Sequence, residues 1–153
     1  MLPTQADVLA QLRAAFPAEP IRFEGALTGG LDDGAYREHV EGKTWEGLDR
    51  AYVLSRSDAL SFLDTRHLVA VLPVYLRSLV EDGTRTSVPD TMVLVLNRKN
   101  QKRFEEIVDA LDPAQRDAVV AVLELFAETE SGQPADAARA ALERWKAHLP
   151  TGS

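Results

Sequence analysis

At 153 residues the chain has the length of one ordinary domain, enough to bury roughly 70% of the surface its unfolded form exposes. Hydrophobic residues at 45% and charged residues at 27% place it among globular rather than disordered chains. The formal charge of -7 disfavours general attraction to phosphate backbones or anionic lipid and would welcome a basic partner, although acidity also serves solubility.

The sequence contains no cysteine, so disulfides, a thiolate nucleophile and Cys-ligated zinc or iron-sulfur sites are excluded. Its first residues lack a basic stretch followed by an apolar one, and no apolar run approaches the roughly 20 residues that span a bilayer. A cytoplasmic location is the expectation.

In chain order, Thr4 with Asp7 three residues on makes a capping box for a first helix whose Val8, Leu9, Leu12 and Phe16 recur at helical spacing, and Pro17 ends it. From Pro17 to Thr44 glycines and prolines dominate. Ile21 to Leu27 would suit a minor extended segment, and Tyr36 with Val40 a helical turn. Trp45, Leu48 and Tyr52 fall on one face of a short helix that Thr44 can cap. Ser57 or Asp58 opens a turn bearing Leu60, Phe62 and Leu63.

Leu68, Leu72, Leu76 and Leu79 mark a longer buried helix with Pro73 inside it. Proline removes a backbone donor and clashes with the carbonyl four residues earlier, so two helical pieces are expected to meet there. Gly83 stops the helix. Over Val88 to Leu96, Val93 and Val95 favour a strand while Pro89 and Asp90 suit a helix first turn; a strand would need a pairing partner, for which Ile21 to Leu27 is the one weak candidate, so a short buried helix is favoured over it.

Phe104, Ile107, Val108 and Leu111 form the next apolar stripe. Asp112 at the N-cap, Pro113 at N1 and Gln115 at N3 then signal a helix that buries Val119, Val122, Leu123 and Phe126. Gly132 is expected to close it, and Pro134 to start a last helix carrying Ala138, Ala141, Leu142, Trp145 and Leu149. No repeat or linker divides residues 1–153. The expected fold is all-α: a single irregular domain of about six to eight helices.

No motif assigns chemistry. Gly42-Lys43-Thr44 resembles the end of a phosphate-binding loop, but Arg37 stands where its first glycine belongs, which favours a helix-capping turn. His39, His67 and His148 fall in different elements. Asp64 and His67 at i and i+3 are too few for a tight metal site, and Asp64 has a simpler use as a cap. Paired acids such as Asp32 with Asp33 or Glu105 with Glu106 read as solvated charge. Arg98, Lys99, Lys102 and Arg103 make the one basic cluster, read as a solvated helix start because no aromatic ladder accompanies it. No catalytic residue, metal ligand or cofactor is nominated.

Gly42-Lys43-x-Trp45-x-x-Leu48, Ala59-Leu60-x-Phe62-Leu63 and Leu72-Pro73-x-Tyr75-Leu76-x-x-Leu79 resemble blocks of a family of small bacterial proteins whose function is unassigned, over the central and C-terminal two-thirds of the chain. The resemblance implies a small helical bacterial domain and carries no activity. Trp45, Phe62, Pro73 and Tyr75 then read as fold determinants, and Tyr75, if buried, needs a hydrogen-bond partner.

Small size, acidity and absent motifs favour a protein-binding module, immunity- or antitoxin-like or an accessory subunit, over an enzyme. Its expected surface is the acidic Leu31 to Asp64 region, with Asp32, Asp33, Glu38, Glu41, Glu46 and Asp49 facing a basic protein rather than nucleic acid or membrane. Two alternatives differ in prediction. An enzyme assembled from separate helices would bring His39 or His67 to two carboxylates in a pocket. A structural homo-oligomer would leave the alanine-rich stripe of the last helix uncovered.

Overall fold

The structure, a computed structural model, describes residues 3–23 and 33–148, without the side chains of Asp33 and Phe62. Among the described residues it is all-α: nine helices and one 3₁₀ turn, slightly more than the six to eight expected, and no strand.

Helix α1 (Gln5–Ala15) starts with the expected capping box: Thr4 Oγ1 accepts from the Asp7 amide at 3.1 Å, and the Asp7 carboxylate accepts from the Thr4 amide at 3.0 Å. Beyond Pro17 the chain is irregular. The extended segment expected at Ile21 amounts to two backbone bonds, the Ile21 amide donating to Lys43 O at 2.9 Å and the Gly42 amide to Ile21 O at 2.7 Å; its other end, at Leu27, lies outside the described residues. Helix α2 (Asp33–Val40) buries Tyr36 and Val40. Gly42 follows at φ +80°, a left-handed conformation that its missing Cβ permits.

Trp45, Leu48 and Tyr52 do not share the single helix expected of them. Thr44 Oγ1 does cap, accepting from the Gly47 amide at 3.0 Å, but it closes only one turn. The Asp49 carboxylate takes the Tyr52 amide, so the helix starts afresh as α3 (Arg50–Ser55). Trp45 and Leu48 are buried from the turn, and the Trp45 indole N–H donates to Phe16 O at 2.7 Å.

After the short α4 (Ala59–Phe62), α5 (Thr65–Glu81) runs unbroken through Pro73, which corrects the expectation of two pieces. Proline denies the Val69 carbonyl its usual donor. The loss falls where Val69 and Pro73 line a cleft of about 220 Å³ with Phe16, Pro17 and Trp45, and the rest of α5 is fixed by burial on several sides. Asp64 caps α5 through the His67 amide at 2.9 Å. Gly83, at φ +57°, turns the chain out of α5 and begins a 3₁₀ turn (Gly83–Arg85).

Helix α6 (Val88–Leu96) has the bounds read from the sequence, with Pro89 in its first turn. Helix α7 (Gln101–Ala110) buries Phe104, Ile107 and Val108. Helix α8 (Pro113–Thr129) opens on the expected Asp112–Gln115 capping box. It ends at Thr129, three residues before Gly132, and Gly132 heads α9 (Gly132–His148) rather than closing α8.

Helix α5 lies at the centre, touching α1, α3, α6, α7 and α8, while α9 packs along α8 and reaches α6. One hydrophobic cluster extends from Val8 to Trp145. Ala138 and Ala141 belong to it and are fully buried, so the alanine stripe expected to form an oligomer contact is already covered within the chain. Small side chains there let α9 approach α8 closely.

Candidate functional site

Of the six acidic residues expected to meet a partner, Asp32 and the side chain of Asp33 lie outside the described residues. Glu38 is exposed on α2. The other three are engaged within the chain. Glu41 pairs with Arg37 at 3.0 Å and Glu46 with Arg13 at 2.7 Å, while Asp49 caps α3 and stands 3.8 Å from His39 Nε2. The α2–α3 surface is therefore of mixed charge, with arginines neutralising part of what the sequence counts as acidic.

The Gly42-Lys43-Thr44 stretch serves the turn between α2 and α3. Lys43 Nζ donates to Glu38 O at 3.0 Å, as suits a capping turn.

The three histidines stay apart. His39 Nδ1–H donates to Ala35 O at 2.8 Å, and its ring stacks on Tyr52 at 3.7 Å between centroids. His67 is buried, 3.3 Å from Asp64 and edge-on to Phe23. His148 approaches Gln101 and the Phe104 ring. His39 and His67 thus each stand beside one carboxylate that also caps a helix. Among the described residues no group of three or more acids and histidines could hold a metal ion.

A buried polar knot joins α2, α3 and α5, and no sequence spacing points to it. The Tyr36 and Tyr75 hydroxyls are 3.0 Å apart, and Tyr75 reaches Val53 O at 3.0 Å and Arg56 O at 3.3 Å. Tyr75 has one hydroxyl proton, committed to those carbonyls, so Tyr36 must be the donor between the two. Burial pushes the Tyr36 hydroxyl up to about 12 and Tyr75 well above its ordinary value. Both stay neutral at physiological pH and neither is open to solvent, which makes the knot a fastening between helices.

Concave surface occurs at several places. A cleft of about 560 Å³ lies between α5, the 3₁₀ turn and α8; of the acids that line it, Glu81 and Asp82 are held by Arg50 at 3.0 and 2.8 Å. Two smaller concavities meet at Leu94 on α6. One, of about 240 Å³, is lined mainly by Pro89, Val93, Pro134 and Ala137; the other, of about 300 Å³, by Val95, Arg98, Lys99 and Arg103.

Leu94 is the one exposed large hydrophobic among the described residues, at 67% of its full exposure. The basic cluster is not uniformly the solvated helix start expected. Lys99, Lys102 and Arg103 are exposed, but Arg98 is half-buried, and its Nη2 donates to Leu60 O at 3.3 Å. Burial, followed by the neighbouring Arg103, lowers the Arg98 pKa from its ordinary value. Arg144 braces this corner from α9, lying 3.8 Å over the Phe104 ring and donating to Asn97 at 2.9 Å and to the Arg98 carbonyl.

No helix among the described residues is long and apolar enough to cross a membrane. No curated protein and no solved structure matches the chain. A family model does match, over residues 4–149, from the start of the first helix to the end of the last. The chain belongs to the family described as "Family of unknown function (DUF6714)".

Proposed function

We propose that the protein is a protein-binding module, working through its surface rather than through a catalytic pocket. The observation that supports this reading is Leu94. Leu94, at 67% exposure, is the one large apolar side chain of the described residues left largely open, and it stands between two concavities rather than alone on a flat face. Two concavities flank it, able to receive side chains on either side.

A second reading keeps the partner basic and seats it on the α2–α3 surface. Glu38 is exposed, and the pairs made by Glu41 and Glu46 are surface pairs, worth about 0–1 kcal/mol each and so exchangeable for a partner's lysines. Immunity- or antitoxin-like action, or an accessory-subunit role, would follow from either surface.

The test is affinity capture of the tagged chain from its native host at low and high salt, run alongside Leu94→Glu and a Glu38→Lys/Glu46→Lys double variant. A stoichiometric partner lost with Leu94→Glu supports the first reading. One lost only with the charge reversal, and weakened by salt, supports the second. Absence of a stoichiometric partner under every condition overturns both.

A further inference from the structure

We propose that the Leu94 surface takes an acidic segment of a partner protein, one that presents a bulky apolar side chain beside two or more carboxylates. The inference rests on the protein-binding reading above and specifies the partner's chemistry.

Charge placement carries it. The chain has acids to spare, and its cations are mostly used. Arg13, Arg37, Arg50, Arg56, Arg66, Arg77, Arg139 and Lys146 face carboxylates, and Lys43, Arg85, Arg116 and Arg144 donate to carbonyls. Among the described residues Lys99, Lys102 and Arg103 make no ion pair or side-chain hydrogen bond, and unlike the exposed Arg22 they stand together, at the start of α7 and the turn before it. With an excess of seven negative charges, leaving three exposed cations side by side without an ion pair is a poor arrangement for the isolated chain, even with Glu105 and Glu106 one turn further along α7. It becomes a good one when carboxylates are supplied from outside.

Two of those cations, Lys99 and Arg103, adjoin the exposed apolar residue. Leu94, Arg98, Lys99 and Arg103 line the same concavity, while Val93 and Pro134 face the opposite side of Leu94. Arg98 is held by Leu60 O, and its Nε is buried without a hydrogen-bond partner, so a positive charge is fixed at the base of the site. An apolar centre with a cationic rim on one side matches a ligand of the same layout and opposite charge. Asp90 lies on the far, apolar side and Glu106 near Arg98; they would orient the ligand's carboxylates towards Lys99 and Arg103.

A nucleic acid fits less well. Phosphates would meet three cations on a chain that is otherwise repulsive, and Leu94 would gain no base to cover.

The test is a random-peptide display selection on the full-length protein at low salt, followed by affinity measurement on purified peptides. The expected result is enrichment of peptides with Leu, Ile, Phe or Trp close to at least two Asp or Glu. Affinity should fall at least about tenfold with Leu94→Glu and likewise with Lys99→Glu/Arg103→Glu, both at exposed positions, with the helical signal and melting unchanged. Neutral or basic peptides, binding indifferent to both variants, an empty selection, tighter binding of a single-stranded RNA oligonucleotide, or self-association through Leu94 in light scattering would each overturn the proposal. A host partner captured through Leu94 alongside non-acidic peptides would sink this inference and leave the protein-binding reading standing. No host partner at all would remove that reading as well.

Discussion

Tyr36 and Tyr75 show how a single residue's requirements organise its neighbours. Burying a hydroxyl without a partner costs about 1–3 kcal/mol, and here each is satisfied by a group from another helix. The two are not equivalent. Tyr75→Phe strips the acceptor from the buried Tyr36 proton and a second partner from two carbonyls, so denaturant unfolding should show a loss of about 1–3 kcal/mol. Tyr36→Phe leaves no buried proton stranded and should cost clearly less. Equal losses would contradict the donor assignment.

The same pair sets an alkaline limit. A phenol pushed from 10.0 to about 12 in the folded state keeps its proton while the unfolded chain is losing it. Its contribution is therefore complete below pH 10 and disappears as pH rises towards 12, at about 1.4 kcal/mol per pH unit. Urea midpoints measured from pH 8 to 12 should fall over that window, and less steeply for Tyr36→Phe. The sequence reveals that a buried Tyr75 needs a partner, but not that the partner is 39 positions away.

At the scale of elements, local chemistry was readable wherever a cap was involved. Thr4 with Asp7 and Asp112 with Gln115 form the boxes their spacing predicts, and Asp64 caps as its position before a helix implies. Pro73 is the contrast. Proline's cost of about 3 kcal/mol in a helix interior argues for a break, yet a helix buried along most of its length gains more from continuity than one lost hydrogen bond takes away. Trp45 and Leu48 are core residues as expected but reach the core from a turn, because apolar spacing reports burial and does not report backbone bonding.

The α8–α9 pairing gives a prediction at this scale. Ala138 is fully buried in the core cluster, whereas Ala140 on the same helix is exposed. Ala138→Leu should overpack the interface and cost about 1–3 kcal/mol in thermal or denaturant unfolding. Ala140→Leu should change stability by no more than about 0.5 kcal/mol. An Ala138→Leu variant as stable as the parent would mean that α9 is not held closely on α8.

For the whole molecule, one hydrophobic cluster joins the first helix to the last, so unfolding should be a single cooperative transition, with calorimetric and van't Hoff enthalpies equal. Leu12→Ala in α1 and Phe104→Ala in α7 should each lower that one transition rather than split it. A separate low-temperature phase would show that the cluster is divided.

What the sequence determined by itself was helix content, most helix starts and the greater part of the core, because caps, prolines and 3.6-residue spacing act within a few residues along the chain. It also fixed the amount of charge. Tertiary structure alone decided which charges are used. It placed Glu41 and Glu46 against arginines, covered the alanine stripe with α8, joined Tyr36 to Tyr75, and left Leu94 exposed beside Lys99 and Arg103. Pairing and exposure depend on which distant segments meet in space, and the order of residues along a chain carries that information only through the fold.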